Sequence, residues 1–112
     1  MKKIEFKTPE DYHLIDPDDI LYIETSNRCA KLIFRDHSEI DLAMNLKECI
    51  ELLPKKNFYS INRSVIININ GIVKFSHIEG RRGEVIMGKR EVFEVSRRQK
   101  NGLSFLIDKN EE

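Results

Sequence analysis

The sequence predicts a mainly β protein with one short helix. Most hydrophobic residues occur in short runs rich in Ile, Val, Phe and Tyr, which favour strands. Turn-forming residues such as Pro, Gly, Asp and Asn separate these runs. Only the segment 45–54 has its apolar residues at helical spacing. Because 40% of the residues are hydrophobic and 34% are charged, the composition is that of a globular protein.

The N-terminal part reads as three short strands. Ile4–Lys7 and Tyr12–Ile15 flank the turn signal Thr8-Pro9, and the Asp-Pro-Asp-Asp turn at 16–19 precedes a strand at Ile20–Glu24. We expect these strands to be connected by tight turns.

A hairpin and a helix follow. Ala30–Arg35 and Ser38–Leu42 flank Asp36-His37, a turn that lacks the Asn-Gly chemistry of the tightest hairpins. Asn45 is a good N-cap, and Glu48 can complete a capping box. The apolar stripe of the helix consists of Leu46, Cys49, Ile50 and Leu53, and Pro54 ends it.

The second half of the chain returns to strands. They are predicted at Phe58–Ile61, Val65–Ile67, Ile72–Ser76, Glu84–Met87 and Glu91–Val95. The end of the chain, 97–107, leaves two alternatives open. It is either a short helix weakened by Gly102 or a turn followed by a last strand.

No enzymatic, cofactor or metal chemistry is expected. The histidines His13, His37 and His77 are far apart, and no HExxH, CxxC, GxGxxG or P-loop pattern is present. Cys29 and Cys49 are expected to be reduced thiols in a cytoplasmic protein. The apolar runs are too short to span a membrane, and no apolar signal region follows the start.

The charge distribution leaves two interpretations open, a polyanionic partner or an ordinary solvated surface of mixed sign. The formal net charge is zero, yet residues 61–100 hold nine Lys/Arg against four Asp/Glu. Such local asymmetry bears on polyanion binding more directly than the net charge does. The basic side chains fall at predicted turns and strand ends: Arg28, Lys31, Arg63, Arg81, Arg82, Lys89, Arg90, Arg97, Arg98 and Lys100. An arginine in a turn can bind phosphate or the major-groove edge of guanine.

Four segments resemble the LytTR family of bacterial DNA-binding domains. They are DDILYIE (18–24), NLKECIELLP (45–54), FYSINRSVIININGI (58–72) and EVFEVSRR (91–98), and the similarity extends from about Ile4 to Leu106. The resemblance implies small antiparallel sheets with a little helix and no helix-turn-helix. It also implies that loops enter the major groove of promoter DNA at imperfect direct repeats. We therefore expect one LytTR-like domain over residues 1–112, with a core at about 4–106.

The resemblance also assigns candidate DNA-binding residues. Arg63 and Arg98 match DNA-contacting positions of the family, Arg97 and Lys100 are expected at phosphates, and Asn62 and Ser64 brace Arg63 or contact phosphate. The loop 26–31 departs from the family, because a position that can hold a base-contacting side chain is Ala30 here. Asn27, Arg28 or Lys31 are the candidates to replace it.

The partners that the resemblance implies are double-stranded DNA, a receiver domain or partner regulator, and a second copy of the domain on DNA. No receiver domain precedes the motif in this sequence, so the chain is expected to be a stand-alone LytTR protein or a domain of a larger regulator. Two other classes stay open. One is a β-rich protein-interaction or ligand-sensing module without DNA binding, and the other is an RNA-binding barrel, which needs exposed aromatic residues for base stacking.

Overall fold

The computed structural model describes residues 2–78, 82–88 and 91–110. Within these residues the chain forms ten strands and two α-helices: β1 (Ile4–Lys7), β2 (Tyr12–Ile15), β3 (Ile20–Ser26), β4 (Cys29–Phe34), β5 (Glu39–Asp41), α1 (Leu46–Leu52), β6 (Phe58–Asn62), β7 (Val65–Asn68), β8 (Ile72–His77), β9 (Gly83–Met87), β10 (Glu91–Val95) and α2 (Lys100–Asn110). Single 3-10 turns at Pro17–Asp19 and Ile69–Gly71 precede β3 and β8.

The described strands form three small antiparallel sheets. β1 pairs with β2, five strands form a central sheet in the order β5-β4-β3-β7-β6, and three strands form a sheet in the order β10-β9-β8. The predicted mainly β class with small antiparallel sheets is confirmed.

The central sheet is covered on both faces, which explains its continuous apolar runs. Ile20–Ile23 in β3 and Val65–Asn68 in β7 are buried at every position. A strand with only one covered face would alternate between apolar and polar residues. The two faces belong to two separate hydrophobic clusters, one on each side of the sheet.

The first cluster joins the central sheet to the β1–β2 hairpin and α1. Phe6 from β1 and Cys49 from α1 are completely buried against residues such as Ile23 and Ile66. The predicted capping box begins α1, since Asn45 Oδ1 accepts from the Glu48 amide at 2.9 Å and Glu48 Oε1 accepts from the Asn45 amide at 3.0 Å.

The second cluster joins the opposite face to the three-stranded sheet and α2. Val85, Met87, Val95 and Leu103 are fully buried there, together with Ile61 and Ile67 of the central sheet. The buried amide of Asn68 closes β7 without an unpaired group, because it donates to the Ile20 carbonyl at 2.8 Å and accepts from the Asn70 amide at 3.0 Å.

The predicted strands and the first helix are confirmed to within one or two residues at their ends. In the segment 97–107, residues 97–99 form a turn and the remainder is helical; α2 runs from Lys100 to Asn110. The described chain therefore has a second helix, one more than the sequence predicted. It forms because Leu103 enters the second cluster, where its burial outweighs the weak helix propensity of Gly102.

Candidate nucleic-acid interface

Three segments that hold predicted site residues are linked through main-chain hydrogen bonds to the β6–β7 hairpin. They are the β3–β4 turn, the β6–β7 turn and the segment after β10. The Thr25 amide donates to the Ser64 carbonyl at 2.9 Å, and the Ser96 amide donates to the Ile61 carbonyl at 2.9 Å. The β6–β7 turn is thus fixed to β3 on one side and to the exit of β10 on the other. The fold brings together segments that are more than 30 residues apart in sequence.

Asn62 braces the β6–β7 turn. Its Oδ1 accepts from the Ser64 amide at 2.7 Å, and its Nδ2 donates to the Glu94 carbonyl at 2.7 Å. Because its amide bonds both Ser64 and Glu94, the Asn62 side chain fixes the main chain of the turn that carries Arg63. Of the two roles predicted for Asn62, bracing is the one that the hydrogen bonds support.

Arg63 and Arg98 line the same open recess. Arg63 lies in the two-residue turn between β6 and β7, and Arg98 follows β10. We call this feature the arginine recess; its lining residues are Asn62, Arg63, Ser64, Glu94, Ser96, Arg98 and Gln99. Both arginine side chains are exposed, and neither forms an ion pair within the described part of the chain. Each guanidinium is therefore available to an external acceptor.

The exit of β10 is fixed by the main chain of Ser96. Its carbonyl accepts from the amides of Gln99 and Lys100 at 3.0 and 3.1 Å, while its own amide bonds β6. The main-chain groups of Ser96 therefore hold the exit of β10 in place. Arg97 is exposed at this tight turn, and Lys100 begins α2. The stem of Lys100 lies close to Gly83, where an added Cβ would be 3.4 Å from Lys100 Cδ.

Tyr59 and Gln99 also belong to this architecture, and sequence reasoning missed them. The Tyr59 hydroxyl lies 2.7 Å from Gln99 Oε1 and 3.1 Å from the Gln99 carbonyl, so it can donate to either oxygen. Burial raises the pKa of Tyr59, which keeps the hydroxyl protonated as a donor. An added Cβ at Gly102 would collide with the same hydroxyl, so a larger residue there would have to displace Tyr59. In the sequence, a glycine inside an otherwise helical segment was the feature that could have indicated this close contact.

The β3–β4 turn presents Asn27 and Arg28. Asn27 has a φ of 52°, a left-handed conformation that Asn tolerates better than most residues, and both side chains are exposed. Ala30 is buried in the first cluster. Lys31 forms an ion pair with Glu39, Nζ to Oε1 at 3.2 Å, and this hydrogen bond raises the pKa of Lys31. Of the three candidates for the missing base contact, Arg28 is the one with an unpaired cation within the described residues.

The remaining basic residues are less informative. Arg82 forms an ion pair with Glu94, Nη1 to Oε2 at 3.1 Å. Arg81, Lys89 and Arg90, which the sequence placed in turns, lie outside the described residues.

The described residues give no support for a metal site, a membrane-spanning helix or a disulfide. Among residues 2–78, 82–88 and 91–110 no three His, Cys, Asp or Glu side chains are grouped as metal ligands would be. In the same ranges, neither helix has the length and apolar character needed to cross a membrane. Both cysteines are free.

Comparisons with known proteins agree with the fold and with the sequence motifs. A family model for the LytTr DNA-binding domain matches residues 10–108. Among the curated proteins none matches significantly. One similar solved structure, from Bacillus cereus, is described as the LytTr DNA-binding domain of a methyl-accepting/DNA response regulator. It superposes with a TM-score of 0.79 at 20% identity, over 96% of this chain and 97% of that chain. At this identity the structural likeness concerns the fold.

Proposed function

The chain belongs to the LytTR family of DNA-binding domains, and from this premise we propose that it binds double-stranded DNA sequence-selectively in bacterial transcription regulation. In this role it is the effector domain of a two-component response regulator. Its partners are a receiver domain or partner regulator and a second copy of the domain on DNA. A domain that acts on bacterial promoters works in the cytoplasm.

One observation supports this proposal above the others. Arg63 and Arg98, which come from separate turns, present in one recess two guanidiniums that have no ion-pair partner among the described residues. A guanidinium can make two parallel hydrogen bonds to the N7 and O6 of guanine, and a rigid mounting lowers the entropy cost of doing so. We assign these two arginines to base edges in the major groove.

The surrounding residues then position the domain on the backbone. Arg97 and Lys100, which follow β10, are assigned to phosphates. Arg28 in the β3–β4 turn is assigned to phosphate or base, together with Asn27 and Lys31. Ser64, exposed in the β6–β7 turn, is assigned to phosphate, and Asn62 acts through Arg63. Phosphate contacts supply affinity without sequence information, whereas the recess supplies selectivity.

Selection of bound sites from a random duplex library tests the proposal directly. We expect an enriched sequence, weak binding to random duplex at low salt, and a steep loss of affinity as salt rises. A β-rich interaction or ligand-sensing module would enrich no sequence and show no salt-dependent DNA binding. That result would contradict the proposal.

Paired variants separate base reading from simple charge. The double variant Arg63→Ala/Arg98→Ala should lose the enriched sequence, while Lys55→Ala/Lys56→Ala removes the same charge outside the recess and should retain it. Lys55 and Lys56 precede β6, at the end of the strand opposite Asn62, and both are exposed. If both double variants lost or both retained the enriched sequence, the recess would act only as a general basic surface.

A further inference from the structure

The arginine recess is also lined by a carboxylate. Among the described residues that line it, Glu94 is the only acidic one, and its side chain is 54% exposed. A surface that binds phosphates through arginine is a costly place for a carboxylate, because the two anions repel each other. We therefore expect Glu94 to make a favourable contact with DNA that offsets this repulsion.

The position of Glu94 is fixed from two sides. Its carbonyl accepts from Asn62 Nδ2 at 2.7 Å, which ties β10 to the residue that braces Arg63. Its Oε2 pairs with Arg82 Nη1 at 3.1 Å. Arg82 is not among the residues that line the recess, so it holds the carboxylate from outside. A carboxylate has about four lone-pair positions, and one hydrogen bond leaves most of them free to accept.

We infer that Glu94 is a specificity-determining residue that accepts a hydrogen bond from the N4 amino group of a cytosine in the major groove. This inference rests on the proposed function. An ionised carboxylate can only accept hydrogen bonds, so it matches the cytosine amino donor and opposes the guanine N7 and O6 acceptors that suit the adjacent arginines. The recess thus offers donors in Arg63 and Arg98 and an acceptor in Glu94, which together distinguish the two bases of a G·C pair.

The same carboxylate sharpens selectivity by repulsion. On random duplex the chain slides along phosphates, where Glu94 opposes binding. On the cognate site the hydrogen bond to cytosine compensates for this opposition. Selectivity is a difference between the two affinities, and a group that weakens the wrong complex raises that difference.

The experiment measures binding to the selected site and to the set of its single-base-pair substitutions. Wild-type protein is compared with Glu94→Ala and Glu94→Gln. We expect Glu94→Ala to lose roughly tenfold of discrimination at one C·G pair, the size of one base contact, and to bind random duplex more tightly than wild type. Glu94→Gln keeps an acceptor for Arg82 and should move the preference at that pair towards adenine, which an amide can bind through N6 and N7.

Two matched variants provide the controls. Glu84 lies directly across from Glu94 on β9 but does not line the recess, so Glu84→Ala removes the same charge and should leave every base preference unchanged. Arg82→Ala removes the partner of the carboxylate and should lower affinity about equally on all duplexes.

The outcomes are distinguishable. If wild-type protein selects a sequence and both Glu94 variants keep every base preference within twofold, the inference is overturned and the proposed function stands. If Arg82→Ala reproduces the loss at the same base pair and Glu94→Gln keeps the wild-type preference there, Glu94 acts only by holding Arg82, and the inference is again overturned. If wild-type protein selects no sequence, the proposed function itself fails, and the inference with it.

Discussion

At the scale of single residues, neighbouring side chains of the recess have different tasks. The amide of Asn62 is engaged at both ends, whereas the guanidiniums of Arg63 and Arg98 have no ion-pair partner among the described residues. Sequence motifs shared with the family predict the two arginines as DNA-contacting residues. They could not identify Tyr59, Glu94 or Gln99, whose roles depend on β6 lying beside the exit of β10.

Arg98 and Lys100 should respond differently to truncation. Arg98→Ala should cost about 1–3 kcal/mol on the cognate site and relax the preference at one base pair, with little change on random duplex. Lys100→Ala should weaken all duplexes about equally and reduce the salt slope by about one phosphate contact. Competitive binding to cognate and scrambled duplex at two salt concentrations measures both effects. Equal losses on both duplexes for Arg98→Ala would make it a positioning charge.

Cys49 should affect stability and leave DNA binding unchanged. It is completely buried on the apolar face of α1, and this burial raises its pKa to about 12. Its thiol is therefore protonated and unreactive in the folded protein at neutral pH. Cys49→Ala should lower the free energy of unfolding by about 1 kcal/mol, measured by urea titration. A stoichiometric bridge between Cys29 and Cys49 in freshly purified protein would instead show that the cytoplasmic assignment is wrong.

At the scale of elements, α2 shows why the end of the chain was ambiguous. Its propensity is weakened by Gly102, so local sequence favoured neither helix nor strand. Burial of Leu103 and the hydrogen bond from Tyr59 to Gln99 decide in favour of the helix, and both depend on tertiary packing. In contrast, α1 could be predicted closely because its capping box and apolar stripe are local signals.

The docking of α2 gives a prediction in which a usually favourable substitution is harmful. Gly→Ala inside a helix normally stabilises it by about 1 kcal/mol, yet Gly102→Ala would place a Cβ against the Tyr59 hydroxyl. We expect Gly102→Ala to lower the unfolding midpoint in urea and to weaken DNA binding. In a Tyr59→Phe background the cost should fall, because the hydroxyl is removed. A stabilised Gly102→Ala protein would contradict this account of the docking.

At the scale of the whole molecule, the residue patterns did not predict which strands pair with one another in each sheet. Periodicity located β6 and β10, but nothing local indicates that they meet across two sheets. The charge pattern was informative only in part. It marked residues 61–100 as basic, but it did not indicate that β3, which leads into the β3–β4 turn, is hydrogen-bonded to the β6–β7 turn through Thr25 and Ser64.

The size of this surface leads to a prediction about the complex. One recess and one flanking turn offer few base contacts, and each discriminates by only about 1–3 kcal/mol. A promoter must be distinguished from a large excess of other sites, so a second module is needed. We expect two copies to occupy two half-sites in the same orientation. Footprinting on the selected DNA should therefore show two protected segments, and scrambling one half-site should weaken protection of the other.

A control duplex with one half-site inverted should lose this mutual effect, because a contact between like-oriented copies cannot form there. Protection of a single half-site at saturation would show that one domain is sufficient.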